Sequence, residues 1–64
     1  MIIKASEIKS NDIQGIIREL ENMPEVMDII RGYNLRGGDF LEAIASDMFY
    51  NGNDINTDDY LDIK

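Results

Sequence analysis

Apolar residues along this chain recur in three blocks at three- and four-residue spacing, separated by glycine, proline and asparagine. The clearest block is Asp39–Tyr50, where Phe40, Leu41, Ile44, Ala45, Met48 and Phe49 fall on one face of a helix turning every 3.6 residues. Asp39 and Glu42 have capping-box spacing, Gly37-Gly38 reads as loop, and Asn51-Gly52 offers residues that tolerate the left-handed conformation in which helices stop. The stripe is wider than a coiled-coil seam, so this helix is expected at the centre, covered by more than one neighbour.

Two helices are expected before it. Ile13, Ile16, Ile17 and Leu20 define the first, over about Asp12–Asn22, with Asn11 as cap and Gln14 as its reciprocal partner. Gly15 lies inside that helix, and a simply tolerated glycine is favoured over a close backbone approach. Pro24 ends the first helix and fits the first turn of a second, with Asn22 and Glu25 again at capping-box spacing. Met23, Val26, Met27 and Ile30 share its face through about Arg31, with Gly32 as terminator; one bent helix from Asp12 to Arg31 is the alternative. Gly32–Gly38 reads as the connecting loop. The methionines on these stripes read as core filler.

The ends are less periodic. Ile2, Ile3, Ala5 and Ile8 favour an extended arm that packs Ile2 or Ile3 on the core, with a short strand or a helical lead-in also compatible. After Gly52, Thr57 is expected to cap a short helical turn over Asp58–Ile63; the competing pattern is a terminal strand beside Ile2 and Ile3. The expected fold is therefore all-α: a compact three-helix domain with a short C-terminal fourth helical turn, in one domain spanning 1–64.

Composition narrows the picture. A chain of 64 residues with no cysteine and no histidine lacks the disulfides, the usual zinc sites and the commonest general base. Domains this small without such staples often borrow surface from a second copy, which makes a homo-oligomer one expectation. Met1-Ile2-Ile3 before Lys4 is short for a secretory signal and no apolar run approaches the roughly 20 residues that span a bilayer, so the expected location is cytoplasmic, with no membrane partner.

Charge is placed unevenly. The net charge is -7; residues 1–36 are nearly balanced, whereas 37–63 carry Asp39, Glu42, Asp47, Asp54, Asp58, Asp59 and Asp62 with no basic residue. Such a half repels nucleic acid and anionic lipid and attracts basic protein surfaces. The Asp/Asn-rich tail fails the calcium-loop pattern: with Asp54 first, the glycine expected at the sixth position is Asp59 and the twelfth falls beyond Lys64. The three glycines of 32–38 lack the Lys-Ser/Thr of a phosphate loop and lead into an acidic helix start. No serine or threonine has a histidine partner, so no catalytic residues, cofactor or metal ligands are expected.

Protein binding is the function class that remains. The candidate surface comprises Asp47, Asp54, Asp58, Asp59 and Asp62 as a charged rim, with Phe49, Tyr50 and Tyr60 as anchors. The expected partner is a protein with a basic surface, including a nucleic-acid-binding protein whose groove the carboxylates would occupy in place of phosphates, in the manner of small phage-type inhibitors. The alternative is a self-associating structural module whose acidic face serves solubility alone.

Overall fold

Helix boundaries in this chain are set by which residue leaves the helical backbone conformation, and several fall one to three residues away from the strongest capping letters. The computed structural model describes residues 1–64. Its order is β1 (Ile2–Ile3), a 3-10 turn (Ala5–Glu7), α1 (Ile13–Glu21), α2 (Pro24–Gly32), α3 (Gly37–Asn51), β2 (Ile55–Asn56) and a second 3-10 turn (Thr57–Tyr60). The molecule is a mostly helical three-helix domain with a two-stranded sheet, measuring 28 × 20 × 17 Å.

The cap of α1 is Asp12 and not Asn11. Its backbone is extended (φ -139°, ψ 164°) and its carboxylate accepts the Gly15 N–H at 2.6 Å. A charged acceptor bonds the orphan N–H groups more strongly than an amide and complements the positive dipole end, which favours Asp12 over its neighbour. Gly15 is also more than tolerated: a Cβ there would stand 2.7 Å from both Cβ and Oγ of Ser10, so the preceding segment lies directly on the helix. α1 buries Ile16 and Leu20 and half-buries Ile13 and Ile17.

α1 and α2 are two helices and not one bent helix. Pro24 forces the preceding Met23 out of the helical region (φ -94°, ψ 111°), and Met23 becomes the cap without any side-chain bond. Asn22, expected to cap α2, instead ends α1 in helical conformation. α2 turns Val26 fully inward, with Met23, Ile29 and Ile30 packed beside it; Met27 is half-buried and lies outside the core cluster.

Gly32 does not terminate α2. The left-handed residue is Asn34, at φ 55°, and the bonds Leu35 N–H to Ile30 O (2.9 Å) and Asn34 N–H to Arg31 O (3.3 Å) form a Schellman closure. That closure folds Leu35 back into the core, where it is 8% exposed. The connection to α3 shortens accordingly to Tyr33–Arg36.

α3 starts before Asp39, the expected cap. Arg36 is the cap residue, with no side-chain bond, and its carbonyl accepts the Phe40 N–H at 2.9 Å. Gly37 and Gly38 are therefore helical and not loop, and Asp39 acts from within the first turn, 4.0 Å from the Arg36 guanidinium. α3 buries Phe40, Leu41, Ile44, Ala45 and Met48, and ends at Gly52 in the left-handed conformation (φ 67°). It packs on α1, α2, β2 and the C-terminal 3-10 turn, which makes it the central helix expected from its broad stripe. Phe49, assigned to that stripe by spacing, stays 44% exposed, whereas its neighbour Met48 is buried.

The termini meet. β1 and β2 pair antiparallel with Ile2 opposite Asn56 and Ile3 opposite Ile55, so the N-terminal arm is extended and Ile3 is fully buried. The C-terminal segment combines the two expected patterns: Ile55–Asn56 is strand, and Thr57–Tyr60 is a 3-10 turn in place of an α-helical turn over Asp58–Ile63. Its cap is Asn56, whose side chain accepts the Asp58 N–H at 3.1 Å, while Thr57 is wholly buried. The Thr57 hydroxyl donates to the Met1 carbonyl and accepts from the Met1 amino group, both at 3.1 Å.

Candidate protein-binding face

The candidate residues come from three places: the last two turns of α3 (Asp47, Phe49, Tyr50), the turn before β2 (Asp54), and the C-terminal 3-10 turn with the residues after it (Asp58, Asp59, Tyr60, Asp62). Folding β2 back along the end of α3 brings part of this set together. Asp47, Asp54, Asp59 and Tyr60 line one hollow of about 200 Å³ together with Asn51, Asn53, Ile55 and Asn56. Asp58, Asp59 and Asp62 surround an open depression with Leu61 and Lys64, and Asp59 borders both concavities.

Within this face the carboxylates have unequal freedom. Asp47 accepts a hydrogen bond from the Tyr60 hydroxyl, which ties α3 to the C-terminal turn. Burial, then the bond to Asp47 and its charge, with a further contribution from the Asp59 charge, push the Tyr60 phenol up to about 12. Tyr60 is thus committed to an internal contact and half-buried. Asp54 accepts the Ala5 N–H at 2.8 Å, and Asp58 lies 3.8 Å from the N-terminal amino group. Asp59 and Asp62 are exposed and make no ion pair; the remaining pairs of the protein are Arg31–Asp28 and Arg36–Asp39.

The aromatics divide. Phe49 and Tyr50 are 44% and 74% exposed and meet edge to face, ring centroids 5.0 Å apart. Phe49 borders a third concavity of about 320 Å³, walled by Ala5, Ile8, Ser10 and Asn11 and floored by Ile16 and Met48. The structure therefore gathers the acidic residues with Tyr60 on one side of the end of α3 and places Phe49 in a separate cleft.

One carboxylate outside the candidate set accepts more hydrogen bonds than any within it. Glu19 of α1 accepts the Lys9 N–H at 3.1 Å through each oxygen and the Ser10 N–H at 2.7 Å. Hydrogen bonding from the Ser10 side chain first, then the two backbone N–H groups and the Lys9 charge, holds its carboxyl below the usual range. Nothing in the spacing of Glu19 marks it, since its partners lie nine and ten residues back and reach it only after the chain reverses.

Chemically, the face offers anionic hydrogen-bond acceptors around a small apolar contribution from Leu61 and Tyr60. No three Asp, Glu, His or Cys side chains are grouped so as to hold a metal ion, and no helix is long and apolar enough to cross a membrane. Comparison with protein-family models, with curated proteins and with solved structures yields no match to this chain.

Proposed function

We propose that this protein is a small, non-enzymatic binding module that occupies a basic surface of a partner protein through its acidic second half. The observation that carries this reading is the unbroken excess of acid from 37 to 63, of which Asp59 and Asp62 are exposed and unpaired beside Leu61. Carboxylates so placed speed encounter with a cationic surface, and the neighbouring apolar atoms supply residence. A partner that itself binds nucleic acid fits this chemistry, its phosphate-binding groups meeting carboxylates instead; direct binding to nucleic acid does not fit a chain of charge -7.

The test uses Asp58→Asn, Asp59→Asn and Asp62→Asn together. Asp54 is left intact because it holds Ala5, and Asp47 because it holds Tyr60. Wild-type protein immobilised against nuclease-treated lysate of its host is expected to retain a basic protein in a salt-sensitive manner, and the triple variant to lose it with an unchanged far-UV spectrum. Equal retention by both would sink the electrostatic reading.

Self-association is the second reading, favoured by one observation: Ile2, Tyr33, Phe49 and Tyr50 are all at least 44% exposed on a protein this small. Light scattering over a dilution series decides it, and a monomer at every accessible concentration would remove it.

A further inference from the structure

The segment between β1 and α1 is fastened in an unusual way. Apart from one bond to the adjoining Lys4, the backbone from Ala5 to Ser10 bonds to the rest of the protein through two carboxylates. Asp54 Oδ1 accepts the Ala5 N–H at 2.8 Å at one end, and the Glu19 carboxylate accepts the Lys9 and Ser10 N–H groups at the other. Between those points the backbone bonds are local, with Glu7 N–H to the preceding Lys4 O at 2.9 Å and Ile8 N–H to Ala5 O at 3.1 Å. Both fastenings are side chains from other elements, Glu19 on α1 and Asp54 in the turn before β2. A sheet ladder would hold such a segment residue by residue; two end clasps on a self-bonded turn let it swing as one piece.

What lies beneath it gives the segment a role. Ala5, Ile8 and Ser10 form one wall of the 320 Å³ cleft whose floor is Ile16 and Met48 and whose far rim is Phe49. Ile16 and Met48 are buried with the segment in place, and Ile8 is half-buried against them. Ser10 fits so closely over Gly15 that a methyl group there has no room, so the closed position is a seated one.

We propose that Ala5–Ser10 is a strap, clasped by Glu19 and Asp54, that opens as a unit and controls access to the apolar floor formed by Ile16 and Met48. Lys9 is the charged group that faces Glu19 across the strap, and Asp47, Asp59 and Tyr60 share the hollow that contains Asp54.

Amide hydrogen exchange on the full chain, read by NMR alongside uptake of the neutral apolar dye Nile red, tests this with Glu19→Ala. Exchange is expected to rise on the order of tenfold, the loss of one charge-assisted anchor, at Lys9 and Ser10 and equally at Ala5, while Ile44 and Ala45 in α3 keep their protection and dye fluorescence increases. Asp54→Ala is expected to do the same from the other end, raising exchange at Lys9 and Ser10, and it stands in if Glu19→Ala does not fold. A rise confined to the clasp that was removed overturns unit opening. A rise of the same size at Ile44 means global unfolding and overturns the strap. Faster exchange without dye uptake overturns its control of the floor.

Discussion

Asn34 and Gly52 occupy the same left-handed backbone region at the ends of successive helices, yet only one of them is glycine. A side chain at positive φ costs about 1 kcal/mol or more, and asparagine tolerates it better than most residues. Asn34→Gly is expected to stabilise the protein by about 0.5–1 kcal/mol and Gly52→Ala to destabilise it by about 1 kcal/mol, both measured by urea denaturation. Phe40 and Phe49 make a second contrast. Spacing puts both on one stripe, but Phe40 is fully buried and Phe49 is 44% exposed. Phe40→Ala should cost about 3–5 kcal/mol, lowering Tm by roughly 12–40 °C, whereas Phe49→Ala should cost less than about 1 kcal/mol. Similar losses for the two would contradict the full burial of Phe40 in the core. Glu19 and Gly15 show why some residue roles were illegible: each is defined by Ser10, which touches them only after the chain turns back on α1.

Helices are the level at which this sequence reads most directly. Their number, order and approximate centres follow from the apolar periods and from Pro24, while their ends follow from backbone closures that letters specify poorly. Arg36 caps α3 without a side-chain bond because a guanidinium offers only donors and the orphan N–H groups of a helix start need an acceptor; Gly37 and Gly38 are already helical ahead of Asp39. Contacts between elements add two pH dependences of opposite direction. The Tyr60 phenol is raised to about 12 from the ordinary 10.0, so the folded state is favoured below pH 10 and that contribution disappears as pH climbs towards 12. Wild type should therefore lose stability between pH 10 and 12 more than Tyr60→Phe, as followed by thermal unfolding. The Glu19 carboxyl is lowered, so its contribution is complete above 4.5 and fades as pH falls through the folded-state value below that. Glu19→Gln should flatten stability against pH on the acid side, and an unchanged acid profile would show that the clasp carries no weight in folding.

At the scale of the whole molecule, the fold closes by joining its ends: β1 pairs with β2, and buried Thr57 bonds to Met1. This closure places the acidic tail over the end of α3 and concentrates like charge there, which the protein bears at a cost in self-repulsion. The triple change Asp58→Asn, Asp59→Asn, Asp62→Asn should raise Tm at low ionic strength and lose that advantage in 1 M salt, where the screening length is about 3 Å. A gain that persists in high salt would point to local turn chemistry instead of the field. The chain by itself determined the three helices, the central place of α3, the extended N-terminal arm and the uneven charge, because periodicity, β-branching and the count of ionisable groups are properties of adjacent or nearby letters. Tertiary structure alone decided the β1–β2 pair, the burial of Leu35 behind Asn34, and the exposure of Phe49. It also decided which carboxylates stay free: Asp47, Asp54 and Glu19 are engaged by Tyr60, Ala5 and the Lys9-Ser10 backbone, while Asp59 and Asp62 are left to solvent. Those outcomes depend on which groups meet across long stretches of chain, and a one-dimensional pattern of apolar and charged letters carries no distance between them.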